Sequence, residues 1–330
     1  MKTDTFTFGV LAYNHEAVIL ETLESMKYQI EHYGGDIRFF LIITDDASHD
    51  NTPLIIKNWV DENRHLFADV NLRLNEQNVG TVKNYNYILH NITEENFKII
   101  AGDDVFSSDN LFTVYEGLEE NSLLTCVPLV IKDGKVSADR YRYTLYYYNK
   151  KHNNKKRFEK RMRRDCFVHT PSTIFSKKLY EAAGCEKNTR QFRLIEDAPT
   201  WYSIIKSDCF RSLLYSDSTI VLYRKSGVSV SKNRDPQNPF HLEKKKLYKI
   251  YAEDAQGLER LFLKLRNSNL RALNVVFSRF NAILNYAGVL TLVLDIGYYR
   301  FAKEMKIRAE KEQQYYMHLK ERTSNLYASH

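Results

Sequence analysis

Phe97-Lys98-Ile99-Ile100-Ala101-Gly102-Asp103-Asp104 is a short apolar run that ends in a glycine and two carboxylates. A run of this length bounded by a turn signal reads as a buried strand. In open α/β sheets ligands collect beyond the carboxyl ends of the strands, so the two acids stand where a ligand would be met. The arrangement recurs upstream. Strand-like Thr5 to Ala12 leads into Tyr13-Asn14-His15-Glu16, Arg38 to Thr44 into Asp45-Asp46-Ala47-Ser48-His49-Asp50-Asn51-Thr52, and Asn71 to Asn75 into Asn78-Val79-Gly80. Leu123 to Lys132 reads as a fifth strand. Ala17 to His32, Pro53 to Asn63, Thr81 to His90 and Asn110 to Glu119 read as helices between them. The alternation predicts an α/β fold, Rossmann-like, with a mostly parallel sheet, helices on both faces, and polar groups converging at one edge.

The chain has 330 residues, 43% of them hydrophobic, enough for one α/β core and an extension. Its net charge of +7 is unevenly placed. Asn149 to Arg164 holds nine Lys or Arg against one Glu, and His241 to His330 sixteen against nine, which leaves the rest of the chain acidic. Basic pieces of this kind meet phosphates or anionic lipid, or are simply solvated loop and helix faces. Beyond Gly134 the pattern loosens through a tyrosine-rich stretch into the basic run, read as a loop. Thr173-Ile174-Phe175 then enters a short helix ending near Gly184. From about Phe240 the chain is Lys-rich, without proline and periodic, which predicts a helical C-terminal region over 240–330 after a main domain over 1–239. The main domain divides at about residue 120 into two halves. The start lacks a signal-peptide pattern. Cys126, Cys166, Cys185 and Cys209 lack metal or redox spacing, so a cytoplasmic protein with reduced thiols is expected.

Neither a P-loop nor a dinucleotide glycine fingerprint follows the first strand, so phosphate would have to be held otherwise. Hard carboxylate oxygens such as those of Asp103 and Asp104 suit Mg²⁺ or Mn²⁺, whose shell is completed by water and phosphate oxygens. Taken alone, the pair reads better as an acidic turn capping the helix that starts near Ser108. Asp45 and Asp46 repeat the pattern, with Asp50 and Thr52 as turn closers, and Tyr13 offers a flat face for a base. Glu196-Asp197-Ala198-Pro199 opens another amphipathic helix. Proline fits that first turn, and the positive helix end favours an ionised carboxylate, as a general base requires.

Taken in order, Ala12-Tyr13-Asn14-His15-Glu16, Asp45-Asp46-Ala47-Ser48-His49-Asp50-Asn51-Thr52, Gly102-Asp103-Asp104 and Glu196-Asp197 resemble family 2 glycosyltransferases of the GT-A fold, over roughly residues 5 to 225. The resemblance implies an inverting, metal-dependent transfer from a nucleotide diphosphate sugar, uridine being the implied base, to a hydroxyl of a glycan or polyprenol-linked saccharide in bacterial surface-polysaccharide synthesis. It assigns Asp197 as the base, with Glu196, His169, Thr170 and Ser172 on the acceptor side. Ala12, Tyr13, Asn14, Glu16, Asp45, Asp46, Asn78, Gly80, Lys83 and Asp103 fall to the nucleotide, and Asp104 to Mn²⁺ or Mg²⁺. The chain departs from the family pattern at Ala47, where glycine is frequent, at the adjacent rather than spaced Asp103-Asp104, and at Gly184-Cys185, where two glycines are frequent.

A sugar nucleotidyltransferase would want a glycine-rich phosphate loop near the start; a non-catalytic sugar-nucleotide or glycan-binding scaffold is the other rival. No nucleic-acid partner is expected. Ala287 to Leu294 is too short and too interrupted for a membrane span. With Arg300, Lys303, Lys306, Arg308 and Lys311 mixed with Tyr298, Tyr299 and Phe301, it suits an anionic inner-leaflet surface. Packing on the domain or on a second subunit is the alternative.

Overall fold

The computed structural model describes residues 4–164, 167–225, 238–268, 275–280 and 290–329. Cys166 and Ala287 to Val289 lie outside them. Four strands, β1 (Thr5–Ala12), β2 (Arg38–Asp45), β3 (Asp69–Leu74) and β4 (Phe97–Ala101), form a wholly parallel sheet in the order β3-β2-β1-β4. On β1, Phe6, Phe8 and Val10 are buried with the helices α1 (Ile19–Tyr33), α2 (Thr52–Asn63) and α4 (Leu111–Glu116). Gly9 faces the other way, where a Cβ would stand 2.7 Å from Ile88 of α3 (Thr81–Asn91). Glycine there lets α3 settle onto the sheet. Helices therefore cover both faces, as the alternation of apolar runs predicts, and the strands run with their carboxyl ends at a common edge.

The expected fifth strand is broken. Val127-Pro128 divides it into β6 (Ser122–Cys126) and β7 (Leu129–Lys132), because proline cannot donate to a continuing ladder. β5 (Val105–Phe106), β8 (Lys135–Ser137) and β11 (Val221–Arg224) join β7 in the order β5-β11-β7-β8, while β10 (Ser212–Ser216) and β9 (Thr173–Ile174) flank β6. The β7–β8 turn is Asp133-Gly134 with φ of 51° and 74°, the paired positive values of a type I′ hairpin turn.

The stretch read as a loosened, basic loop is two helices, α5 (Arg140–Lys151) and α6 (Lys155–Arg164). Charge masks the pattern. Phe158 and Met162, one turn apart on α6, are buried at 1% and 0% exposure, and two anchors at that spacing suffice to dock an otherwise charged helix. The order continues through α7 (Lys177–Ala182), α8 (Cys185–Thr189), α9 (Asp197–Lys206), α10 (Pro239–Asp254) and α11 (Gly257–Arg266) to a C-terminal helix, Ile296–Ser329.

That last helix is bonded into the main domain. Glu312, fully buried, accepts hydrogen bonds from the Ser108 amide (3.0 Å) and hydroxyl (2.7 Å), and Gln313 accepts from the Val136 amide at 2.6 Å. Of the residues expected on an anionic surface, Arg308 and Lys311 instead pair with Asp109, and Tyr298 and Phe301 are buried beside Tyr143 and Tyr146 of α5. Tyr299, Arg300, Lys303 and Lys306 remain exposed. Among the described residues, no helix is long and apolar enough to cross a membrane.

Candidate active site

The end of β1 lies between the two acidic segments. The Asp46 amide donates to Ala12 O and the Gly102 amide to Leu11 O, at 2.9 and 2.8 Å, so the ladder carries both segments to the same edge. Asp45, 1% exposed, spends its carboxylate on its own turn, accepting from the Ser48 amide and hydroxyl at 2.9 and 2.5 Å. Ala47 in that turn has φ 61°, a left-handed conformation that glycine takes without strain, which accounts physically for the departure noted there. Asn14, also at positive φ, accepts from His49; Glu16 accepts from Asn51; and Asp50 accepts from Glu16 and Thr52, so the first two loops are laced together. Tyr13 stands out of this lacing with 41% of its surface exposed.

Asp46 reaches further. Its two oxygens accept from the amides of Val79 (2.7 Å) and Gly80 (3.0 Å), fixing the loop before α3. Gly80 has φ 91°, and a Cβ there would lie 2.7 Å from the Arg193 carbonyl, so only glycine fits. The Arg193 guanidinium donates to Asn78, and its carbonyl accepts from Val82. Lys83 is exposed on the first turn of α3. Arg193 stands four residues before Asp197, and the amides of Arg193, Leu194 and Ile195 all donate to the carboxylate of Glu243 on α10. A continuous set of contacts thus joins Asp46 to the start of α9.

Asp197 is the first residue of α9, its Oδ1 accepting from the Ala198 amide, and Pro199 lies in the first turn as expected. Burial raises the Asp197 pKa, against the pull of the Ala198 amide and the Lys244 charge. Glu196 is pushed up to about 8 by burial and then by the Asp197 charge. Trp201 of the same helix donates to Thr170 at 2.8 Å, and buried Lys98 donates to the carbonyls of Thr170 and Thr173. The 169–173 turn is thereby held between β4 and α9. Its Ser172 is fully buried with its hydroxyl 2.8 Å from His169 Nδ1.

Asp103 is partly exposed, whereas Asp104 is 2% exposed and accepts at Oδ1 from the Arg224 amide. Burial, then the neighbouring Asp103 charge, raises the Asp104 pKa well above the ordinary value. Gly102 before them leaves no room for a side chain, with Ile19 Cδ1 at 2.7 Å and His15 Nδ1 at 2.8 Å from a Cβ position.

Residues that the sequence reading passed over complete the site. The Arg224 guanidinium donates to the Asp103 carbonyl, pairs with buried Glu21 and meets Tyr316 of the C-terminal helix; Tyr316 also donates to Glu21 at 2.9 Å. Tyr223 beside it packs edge-on to His169 and under Arg142. The Tyr223 phenol is raised by burial first and then by Asp104, with Asp103 and Asp197 adding to the same effect against Arg142. One ring thus lies within electrostatic reach of all three acids. The signal that would have found these residues was the strand-end rule itself, since Tyr223 and Arg224 close β11, but a four-residue strand gives little periodicity to read.

A parallel sheet covered on both faces, with loops carrying acids at its carboxyl edge and a second set of strands beyond it, defines a GT-A type fold. Residues 7–184, more than half of the chain, match the sequence model of Glycosyl transferase family 2, and the chain belongs to that family of glycosyltransferases. The structure of S. aureus TarS residues 1–349 in complex with UDP-GlcNAc is 16% identical over 96% of this chain and 88% of that one, with a TM-score of 0.56. A longer TarS structure matches at 17% identity and TM-score 0.50, covering 84% of this chain and 45% of that one, so this chain spans less than half of its length. The mannosyltransferase PcManGT of Pyrobaculum calidifontis, in complex with GDP-Man and Mn²⁺, is 15% identical at TM-score 0.50 over 98% of this chain and 88% of that one. No curated protein matches by sequence.

Proposed function

We propose that this glycosyltransferase moves a sugar from a nucleoside diphosphate donor, a UDP-sugar, onto a hydroxyl of a glycan or polyprenol-linked saccharide, with inversion, in bacterial surface-polysaccharide assembly. The observation that carries this reading is the set of contacts at one sheet edge: the Asp46 and Gly102 amides both donate to the end of β1, and Asp46 is joined through Gly80, Asn78 and Arg193 to the segment that opens α9 at Asp197. Tyr13, exposed next to Ala12, whose carbonyl accepts from the Asp46 amide, is suited to stack on the base, with Asp46, Asn78 and Gly80 assigned to the nucleotide as well. TarS with UDP-GlcNAc and PcManGT with GDP-Man, on the same fold, support a nucleotide-sugar donor.

Asp103 and Asp104 suit a hard divalent cation, Mn²⁺ or Mg²⁺. A cation beside these adjacent acids would favour the ionised form of buried Asp104, and His15 Nδ1 beside Gly102 is a buried polar atom without a hydrogen-bond partner. Among the described residues no three His, Cys, Asp or Glu side chains form a cage, so such an ion would complete its shell with donor oxygens and water. When bound it would neutralise charge on the departing diphosphate.

The chemical work of the chain falls to Asp197. Its carboxylate takes the proton of the acceptor hydroxyl; that oxygen bonds to the anomeric carbon from the side opposite the nucleotide; and the carbon–oxygen bond to the diphosphate breaks, its electron pair leaving with the nucleotide. Glu196, holding its own proton, keeps the neighbouring negative charge on Asp197. In an assay of UDP release from UDP-sugars with Mn²⁺ and glycan acceptors, Asp197→Asn is expected to lose on the order of 10² to 10⁴ in rate while calorimetric UDP affinity survives. Transfer by the variant at the wild-type rate removes the assignment.

A further inference from the structure

We infer that Arg142 marks a subsite for a phosphate group carried by the acceptor, reached from the reaction centre past Tyr223. The inference rests on the transferase reading above. Helix α5 leaves beneath it a cavity of about 80 Å³ whose walls include Thr125, Arg142, Tyr146, His169 and Tyr215. Two polar atoms on these walls, His169 Nε2 and Tyr215 Oη, are buried without a hydrogen-bond partner. Such atoms are costly unless something occupies the space beside them.

The charges indicate what that occupant is. Burial first, and then the charges of Arg142, Lys98 and Lys225, hold the His169 imidazole well below its ordinary pKa. Lys98 is spent on the carbonyls of Thr170 and Thr173, and Lys225 on Asp139. Asp139, whose charge also reaches Arg142, is thus already paired. The Arg142 guanidinium lies 4.8 Å over the Tyr223 ring. Among the described residues it has neither an ion pair nor a hydrogen bond from its side chain. A planar guanidinium stacked on an aromatic face keeps its donor edge available, and that fork matches an oxyanion.

Position separates this anion from the donor's diphosphate. Asp46 is bonded to the Val79–Gly80 loop and Asp104 to the Arg224 amide, whereas Arg142 stands over the Tyr223 ring, whose edge meets His169. The cavity is too small for a nucleotide and of the right order for one phosphate.

Calorimetric titration of the full chain with inorganic phosphate and with glycerol 1-phosphate, each with and without saturating UDP and Mn²⁺, tests this. Both probes are expected to bind with UDP already present. Arg142→Gln is expected to weaken them at least about tenfold, the loss of a charge-assisted fork, with Arg142→Lys falling between. No phosphate binding by the wild type, displacement of phosphate by UDP, or equal binding by Arg142→Gln with an unchanged melting temperature each overturns the subsite. Failure of wild-type protein to bind UDP with Mn²⁺ would instead strike the donor reading and leave the phosphate arm to be judged without nucleotide.

Discussion

Glu196 and Asp197 are neighbours with opposite requirements. For Asp197 to accept a proton it must be ionised, and a second charge beside it in a partly buried site is unfavourable, so Glu196 retains its proton up to about pH 8. The sign of the stability effect follows. Between the ordinary glutamate value of 4.5 and about 8 the folded chain binds more protons than the unfolded chain, so stability is fully present below that window and falls as pH rises through it. Urea unfolding at several pH values should show wild type losing stability relative to Glu196→Gln as pH increases; parallel curves would mean that Glu196 titrates normally. At this scale the sequence was informative about which acids follow strands and open α9. It was silent on their partners, since the Asp46 carboxylate is answered by amides 33 and 34 positions away and Arg224 by Glu21 at a separation of 203. Side chains such as Ser172 and Asp45, singled out for ligand, have their hydroxyl or carboxylate engaged within the fold.

Elements were legible where they repeat. β1 and β4 match their apolar runs end to end, and α2 and α3 differ from expectation by one residue. What defeated the reading was composition, as in α5 and α6, whose dense positive charge hid two helices anchored by a few apolar residues. The segment 290–296 and the first turns of the C-terminal helix raise the opposite question, because apolar side chains there are uncovered. Leu290, Val293, Leu294, Ile296 and Tyr299 are 56 to 92% exposed, next to exposed Arg300, Lys303 and Lys306. Apolar groups beside cations suit the headgroup region of an anionic bilayer, and we propose that this segment holds the enzyme at the inner leaflet. Flotation with vesicles rich in phosphatidylglycerol should carry the wild type upward and leave Leu294→Asp behind. Wild-type protein that stays entirely in the soluble fraction would remove the idea.

For the whole molecule, the C-terminal helix is a structural member of the transferase domain. Glu312 satisfies two donors on Ser108, in the segment that follows Asp103 and Asp104, and its own pKa is raised by burial despite those bonds. Glu312→Ala strands both donors and should lower unfolding free energy by about 2–3 kcal/mol in urea denaturation. A change below about 0.5 kcal/mol would mean that the helix contributes little to the domain. Tyr316 carries the same connection into the site through Glu21 and Arg224. Glu21 leaves the ribosome 295 residues ahead of the phenol that completes its hydrogen bonding. During synthesis the first sheet can form early, yet the hydrogen bonding around Glu21 and Arg224 is finished only once Tyr316 has been made, so a chain cut before that residue keeps its first sheet and lacks this support beneath Asp103.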